Sequence, residues 1–216
     1  MKTEVIIVGA GPLGRETLGW LEDAMGAGSS HEFIGFLDPD ERALDGSDVA
    51  APILGTEETW RPKPDERFLL ALGDPALRAA AAGTIRDRGG RLLTLVHPTA
   101  YVSPRAELEE GCVLAPFSVV SSSTVIGAGT LINFHASAAH DVIVGASCVL
   151  CPYATLNGGV LLGDRVFVGS HATVAPGVRV ADDARIGACS LAARHVEPET
   201  LIVGVPGRPF PVERSA

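Results

Sequence analysis

From Val96 onward the chain repeats with a period of six residues. Steps of six from Val96 reach Val102, Leu108, Leu114, Val120, Ile126, Ile132, Ala138, Val144, Leu150, Leu156, Leu162, Val168, Val174, Val180, Ile186 and Ala192, and all but the two alanines are Val, Ile or Leu. The position four beyond each, from Ala100 and Ala106 through Cys112 and Ala136 to Ser190 and Val196, holds a small residue throughout. A helix returns every ~3.6 residues and a half-buried strand every two, so neither keeps a strict six over so long a stretch. Stacked short turns of a solenoid do keep it, with the branched residue filling a narrow interior and the small one beside it. Glycine or asparagine at Gly127, Asn133, Gly145, Asn157, Gly163, Gly169 and Gly187 suits the tight bends between the faces.

Residues 1–95 follow a different grammar. VIIVGAGPLGRETLGWL reads as buried strand, glycine turn and helix, further strands are expected near Phe33–Leu37 and Phe68–Leu72, and Pro75–Arg88 is Ala-rich and helical. This is a small parallel α/β unit. Gly9, Gly11 and Gly14 make G-x-G-x-x-G, with Asp38 ending the next apolar run, which on its own is a dinucleotide fingerprint. So short a segment supplies one mononucleotide-binding half, and nothing downstream offers a second half or a hydride-transfer site. Backbone amides at a helix start bind any phosphate, so a nucleotide sugar fits the same loop. The division expected is a Rossmann-like α/β domain over 1–95, a β-solenoid over 96–205 and a tail over 206–216.

The formal charge of −9 comes without a basic stretch, which argues against nucleic acid and against an anionic membrane surface as partners. The opening apolar run is too short for a signal peptide, and no stretch approaches the ~20 apolar residues that span a bilayer. The expected location is the cytoplasm, with Cys112, Cys148, Cys151 and Cys189 as free thiols. Cys148 and Cys151 form half of a zinc-ribbon pattern with no second pair, and read as packing residues.

Several features taken together resemble one family: the GAGxxGRE loop, the LVHPTAYVSP entry to the repeat, IN-x5-AHDVIVG, TLNGGVLLG and the GVPGR segment. It is the hexapeptide-repeat acetyltransferases that act on nucleotide-linked amino sugars, such as those making diacetylbacillosamine and N-acetylperosamine, and on sialic acid. The resemblance runs nearly end to end. It implies that the solenoid is a left-handed parallel β-helix with three hexapeptides per coil, that the protein is a homotrimer with active sites between subunits, and that it serves lipopolysaccharide or other glycan biosynthesis. It also implies acetyl-CoA as co-substrate, with no metal, and a nucleotide-linked amino sugar as acceptor.

In that family a histidine followed by an acidic residue is the catalytic pair, here His140 and Asp141. A 4-amino group must lose a proton as it attacks a thioester, and an imidazole titrating near neutrality can take it. An adjacent carboxylate would hold the tautomer, although neighbours in sequence can also point apart. One coil beyond His140 lies Gly158, whose N–H the resemblance places at the thioester oxygen. It further implies a nucleotide site at Gly9, Gly11, Gly14, Arg15, Asp38, Pro39, Gly73 and Asp74. Acetyl-CoA contacts would come from Asn157, Gly158, His171, Ala175, Pro176, Gly177, Gly187, Gly204 and Pro206. Two positions depart from the pattern: a second histidine nine residues after the base is Val149 here, and a histidine of the glycine turn is Leu13.

With eighteen residues per coil, Phe117, His135, Tyr153, His171 and Cys189 should form one ladder, either lining a contact between subunits or a row of unrelated exposed side chains. His135 and His140 have the spacing of two zinc ligands of the γ-type carbonic anhydrases, but the position of the third is Thr99, which leaves a catalytic zinc site incomplete. The reaction expected is N-acetylation of a 4-amino-4,6-dideoxy sugar by direct attack. The alternatives are sugar O-acetylation of the sialic-acid type and, in a different class, a non-catalytic sugar-nucleotide-binding or scaffold protein.

Overall fold

The computed structural model describes residues 2–212. The amino-terminal unit is a parallel sheet of three strands, β1 (Thr3–Val8), β2 (His31–Leu37) and β3 (Glu66–Leu70), in the order β2-β1-β3. Its strands are nearly unbroken apolar runs because helices or the solenoid cover both faces. Helix α1 (Pro12–Gly26) follows β1 and α2 (Pro75–Asp87) follows β3. A centre strand flanked on both sides reverses the winding direction at β1, so the carboxyl ends of the strands bound a crevice.

Seventeen two-residue strands, β4 (Leu95–Val96) to β20 (Leu191–Ala192), then wind a left-handed parallel β-helix. Each pairs with the strand eighteen residues on, as in Leu131 with Val149 and Val149 with Phe167. Three faces result: B contains Val113, Leu131, Val149, Phe167 and Arg185; C contains Val119, Ser137 and Thr155; D contains Val125, Ile143 and Leu161. The second residue of each strand points inward, and Leu114, Ile132, Leu150, Val168 and Ile186 join the small residues Ala136, Ala154 and Ala172 in one continuous core.

The bends differ from the sequence expectation in an instructive way. The left-handed backbone conformation falls two residues after the expected glycines, at Gly129, His135, Ser147, Gly159, Arg165, His171 and Cys189. Gly127, Gly145 and Gly169 are small for another reason: a Cβ on Gly127 would stand 2.5 Å from the Gly145 carbonyl carbon, and one on Gly169 2.6 Å from the Ala188 nitrogen. They permit coil-to-coil approach at ~4.8 Å spacing rather than an unusual φ.

The period breaks once. Val196 pairs with Val180 and Ile202 with Ile186, sixteen residues on instead of eighteen, so the final coil is two residues short. Strand β21 (Thr200–Val203) closes face B, and β22 (Arg208–Pro211) turns back antiparallel on it. Residues 213–216 of the C-terminal segment lie outside the described residues.

The small unit packs on face B. Leu18, Trp20 and Leu21 of α1 meet Val113, Leu131 and Val149 in a shared apolar core, with Phe134 and Phe167 against it. His97 pins α1 to the first coil: its Nδ1 accepts from the Thr99 amide at 3.1 Å, which leaves Nε2–H to donate to Asp23 Oδ2 at 3.0 Å. Among the described residues no helix is long and apolar enough to cross a membrane.

Candidate active site

The crevice at the carboxyl end of the small sheet is built by the glycine loop, Asp38 and the segment after β3. Gly9 has φ +97°, and a side chain there would collide with Ala71 O and Leu72 at 2.9 Å. Gly14 lets α1 lie directly on the Gly9 carbonyl, so the helix begins tight against the strand end. Asp38 is drawn into the loop: its Oδ2 accepts from the Ala10 amide at 2.7 Å and its Oδ1 from the Asp40 amide at 2.9 Å. Each oxygen keeps a second lone pair for a ligand.

The other residues expected at a nucleotide site divide. Pro39 and Gly73 are exposed at the rim. Asp74 is committed structurally, capping α2 through the amides of Ala76 (2.9 Å) and Leu77 (3.2 Å) and accepting from Arg185 Nη2 at 2.7 Å. Burial alone would raise its carboxyl, but Arg185 and the two amides outweigh that and hold it below the usual carboxylate range. Arg15 lines a cavity of about 590 Å³ between α1 and residues 48–51, with Glu22, Phe33 and Asp48. None of Gly9, Asp38 or Gly73 lines that cavity.

His140 stands on the corner between faces C and D, the corner opposite face B. Asp141 follows it with φ +59°, and this conformation turns the carboxylate back onto the ring, with Oδ2 2.8 Å from Nδ1. A carboxylate only accepts, so Nδ1 carries the proton and Nε2 presents a lone pair. Both side chains are about two-thirds exposed, which leaves the pair open to a ligand from outside the coil. On the next coil the ring lies against Gly158: a Cβ there would be 2.6 Å from both Cε1 and Nε2. The Gly159 amide donates to the His140 carbonyl at 3.0 Å, whereas the Gly158 amide donates to no acceptor among the described residues. Nε2 and a free N–H therefore share one small region of the corner, next to Asn157, whose carboxamide nitrogen is turned onto Val174 O at 2.8 Å.

The residues expected to hold acetyl-CoA flank face C. Asn157, Gly158, Ala175, Pro176 and Gly177 occupy the His140 corner, while His171, Gly187, Gly204 and Pro206 lie on or beside the corner between faces B and C. His171 belongs to the ladder, where rings of Phe117, His135, Tyr153 and His171 stack with centroids 5.1, 4.8 and 4.7 Å apart. Cys189 ends that row. Val149 sits on face B under the small unit and is 2% exposed, so it has no access to His140.

No protein-family model matches the chain. A histidine-to-alanine variant of GDP-perosamine N-acetyltransferase from Caulobacter crescentus, in complex with CoA and GDP-perosamine, superposes with a TM-score of 0.87 at 29% identity over 96% of each chain. The acetyltransferase domain of PglB from Neisseria gonorrhoeae FA1090, in complex with acetyl coenzyme A, gives 0.86 at 25% identity over 97% of this chain and 100% of that one. The chain resembles the hexapeptide-repeat sugar acetyltransferases. In sequence, GDP-perosamine N-acetyltransferase of Escherichia coli O157:H7 is 28% identical over 143 residues, a match spanning 64% of this chain and 63%, under two thirds, of the relative.

The likeness to sugar acetyltransferases extends over both units, and the polar links between those units were not foreseen from the sequence, among them Arg185 reaching Asp74 and Arg78 reaching Gly129 O at 2.9 Å. Arg185 stands in the hexapeptide repeat and Arg78 in the Ala-rich helix, and neither segment carries a motif that marks a partner. Cys112, Cys148 and Cys151 are poor nucleophiles. Burial pushes the thiol of Cys148 up to about 12 and those of Cys112 and Cys151 up to about 11.

Proposed function

We propose that the chain is an acetyl-CoA-dependent N-acetyltransferase acting on the 4-amino group of a nucleotide-linked 4-amino-4,6-dideoxy sugar. The observation that carries the reading is the His140 corner, where a proton acceptor oriented by Asp141 adjoins the unpaired Gly158 N–H. The relatives holding CoA with GDP-perosamine, or acetyl coenzyme A, lend the ligand classes.

The sugar nitrogen attacks the thioester carbonyl and a C–N bond forms. The carbonyl oxygen becomes an oxyanion facing the Gly158 N–H, an interaction worth ~3 kcal/mol when one such donor is lost. His140 Nε2 takes the proton from the nitrogen, Asp141 stabilises the imidazolium, and the C–S bond breaks as that proton passes to the departing CoA thiolate. Direct attack is supported by Cys148 and Cys151, whose raised pKa values disfavour an acyl-cysteine intermediate at either.

The nucleotide would lie in the crevice at Gly9, Gly11, Gly14 and Asp38, its phosphates on the start of α1. That crevice belongs to the unit covering face B, while His140 occupies the opposite corner. The reading therefore needs a second copy to bring its His140 to the sugar, which supports a homotrimer with sites between subunits and acetyl-CoA along face C. The free thiols suit a reducing compartment, and we place the protein in the cytoplasm.

The test is thiol release from acetyl-CoA against a panel of UDP-, dTDP- and GDP-linked 4-amino sugars, with free sialic acid as the hydroxyl acceptor. Release with one amino sugar, lost by at least ~10²-fold in His140→Ala while acetyl-CoA still binds, is the expected result. Release with sialic acid alone would replace N- by O-acetylation, and silence throughout would leave a binding protein.

A further inference from the structure

Arg78 has no exposed surface, yet among the described residues it forms no ion pair. Burial pulls its guanidinium down to about 10, so it stays charged at neutral pH. A buried cation with no counter-ion is costly, and an apolar side chain of similar volume would avoid that cost. Nε and Nη1 donate to three carbonyls, while Nη2 is buried without a hydrogen-bond partner among the described residues. Nη1 donates to Leu70 O at 3.2 Å and Leu72 O at 2.9 Å, and Nε donates to Gly129 O at 2.9 Å. Leu70 ends β3 and Leu72 leads into Gly73–Asp74, one wall of the crevice. Gly129 lies on the corner between faces D and B, with φ +69°.

Arg185 makes the second tie. From face B its guanidinium lies 5.5 Å from the Phe167 ring centroid and donates to Asp74 Oδ2 at 2.7 Å, while Asp74 Oδ1 caps α2. Two other polar ties, Arg86 to Glu110 at 2.7 Å and His97 to Asp23 at 3.0 Å, hold the helices to the first coils without touching residues 70–74, and the rest of the contact is largely apolar packing, which is non-directional and tolerates sliding. Hydrogen bonds to fixed carbonyls and a carboxylate do not tolerate it.

We propose that Arg78 and Arg185 are positioning residues that fix the crevice wall, residues 70–74, against the solenoid and so set where the acceptor nitrogen stands relative to a catalytic corner. The proposal rests on the sugar-acetyltransferase reading. Neither arginine touches a reacting atom.

Wild type, Arg78→Lys, Arg78→Met and Arg185→Gln are compared in steady-state kinetics with both co-substrates and in hydrogen exchange of residues 70–77. A misplacement of about 1 Å costs on the order of 10²-fold, so Arg78→Met should lose about that much in kcat/KM for the nucleotide sugar. KM for acetyl-CoA should stay within about twofold, and exchange across 70–77 should quicken with the coils unchanged. Arg78→Lys keeps the charge without the fork, and should recover less than about a tenth of the loss. Arg185→Gln, at a half-exposed position that folds readily, should shift the same quantities in the same direction by less. Equal losses for both co-substrates, or unaltered exchange in folded Arg78→Met and Arg185→Gln, would overturn the proposal. If wild type transfers no acetyl group the enzymatic reading fails by itself, and exchange at 70–77 still decides whether these residues hold the wall.

Discussion

Gly158 and Gly159 are neighbours, and the same substitution should have opposite consequences at each. A Cβ at Gly158 would stand 2.6 Å from His140 Cε1 and Nε2, so the ring must retreat by about 0.8 Å to reach ordinary van der Waals contact. The ring is exposed and can swing, and Gly158 is not in the left-handed region, so Gly158→Ala should change Tm by less than about 2 °C. The retreat carries Nε2 away from the position in which it and the Gly158 N–H serve one reacting centre. Displacement on this scale costs about 30- to 100-fold in kcat. Gly159 has φ +68°, and a methyl group added there would find no atom closer than 3.9 Å, so alanine meets no neighbour but takes on left-handed strain of ~1–2 kcal/mol. For a chain of this size that lowers Tm by roughly 2–8 °C while kcat stays within about threefold of wild type. Thermal unfolding of both variants beside thiol-release kinetics at 25 °C is the assay. If Gly158→Ala keeps kcat within about threefold, or if Gly159→Ala loses the activity instead, the assignment of the His140–Gly158 corner is wrong.

Asp141→Asn should fold normally, since asparagine tolerates the left-handed backbone at φ +59°, and should lower kcat by about 10-fold or more by losing the carboxylate that sets the imidazole tautomer; wild-type kcat in a folded variant would remove Asp141 from the mechanism. Asp38→Ala should raise KM for the nucleotide sugar far more than KM for acetyl-CoA, and equal effects in the two titrations would mean that the substrate is misplaced. In native protein a charged thiol reagent should modify Cys189 readily and leave Cys112 and Cys148 intact until unfolding, because burial both shields those two and holds their thiols protonated; mass spectrometry showing early labelling of Cys148 would contradict the packing of the solenoid interior.

The β-helix was legible because every coil repeats the same demand, so a single misreading cannot hide the period. The aromatic and imidazole ladder was legible for the same reason: a fixed eighteen converts numbering into stacking, and the rings do stack. What failed was the purpose of the corner glycines. Gly145 and Gly163 look like residues chosen for φ, whereas the structure uses them for close approach, and the φ requirement falls on the next-but-one position, where Ser147 and Arg165 accept it. A glycine in a sequence signals a missing Cβ without saying whether backbone or neighbour forbids it. The same ladder logic could have found the Asp141 geometry, since Asp141 occupies the register of Ser123, Gly159 and Gly177, all with positive φ. The shortened last coil left no mark, because a period that stops looks the same whether the chain ends its solenoid or skips two residues.

Arg78 and Arg185 were illegible for a deeper reason. The partners of Arg78 are backbone carbonyls, which every residue carries, and the partner of Arg185 is Asp74, in the other unit, so nothing near either arginine in the sequence announces its contact. The chemistry of the His140 corner is local to two adjacent coils and is therefore written into the repeat. The placement of the nucleotide crevice is a relation between two units with different periodicities, and it exists only once both have folded. If positioning accounts for as much of the rate as the proton transfer at His140, then half of what makes the site work lies where reading one sequence has least purchase, and exchange at residues 70–77 is the quantity that reports it.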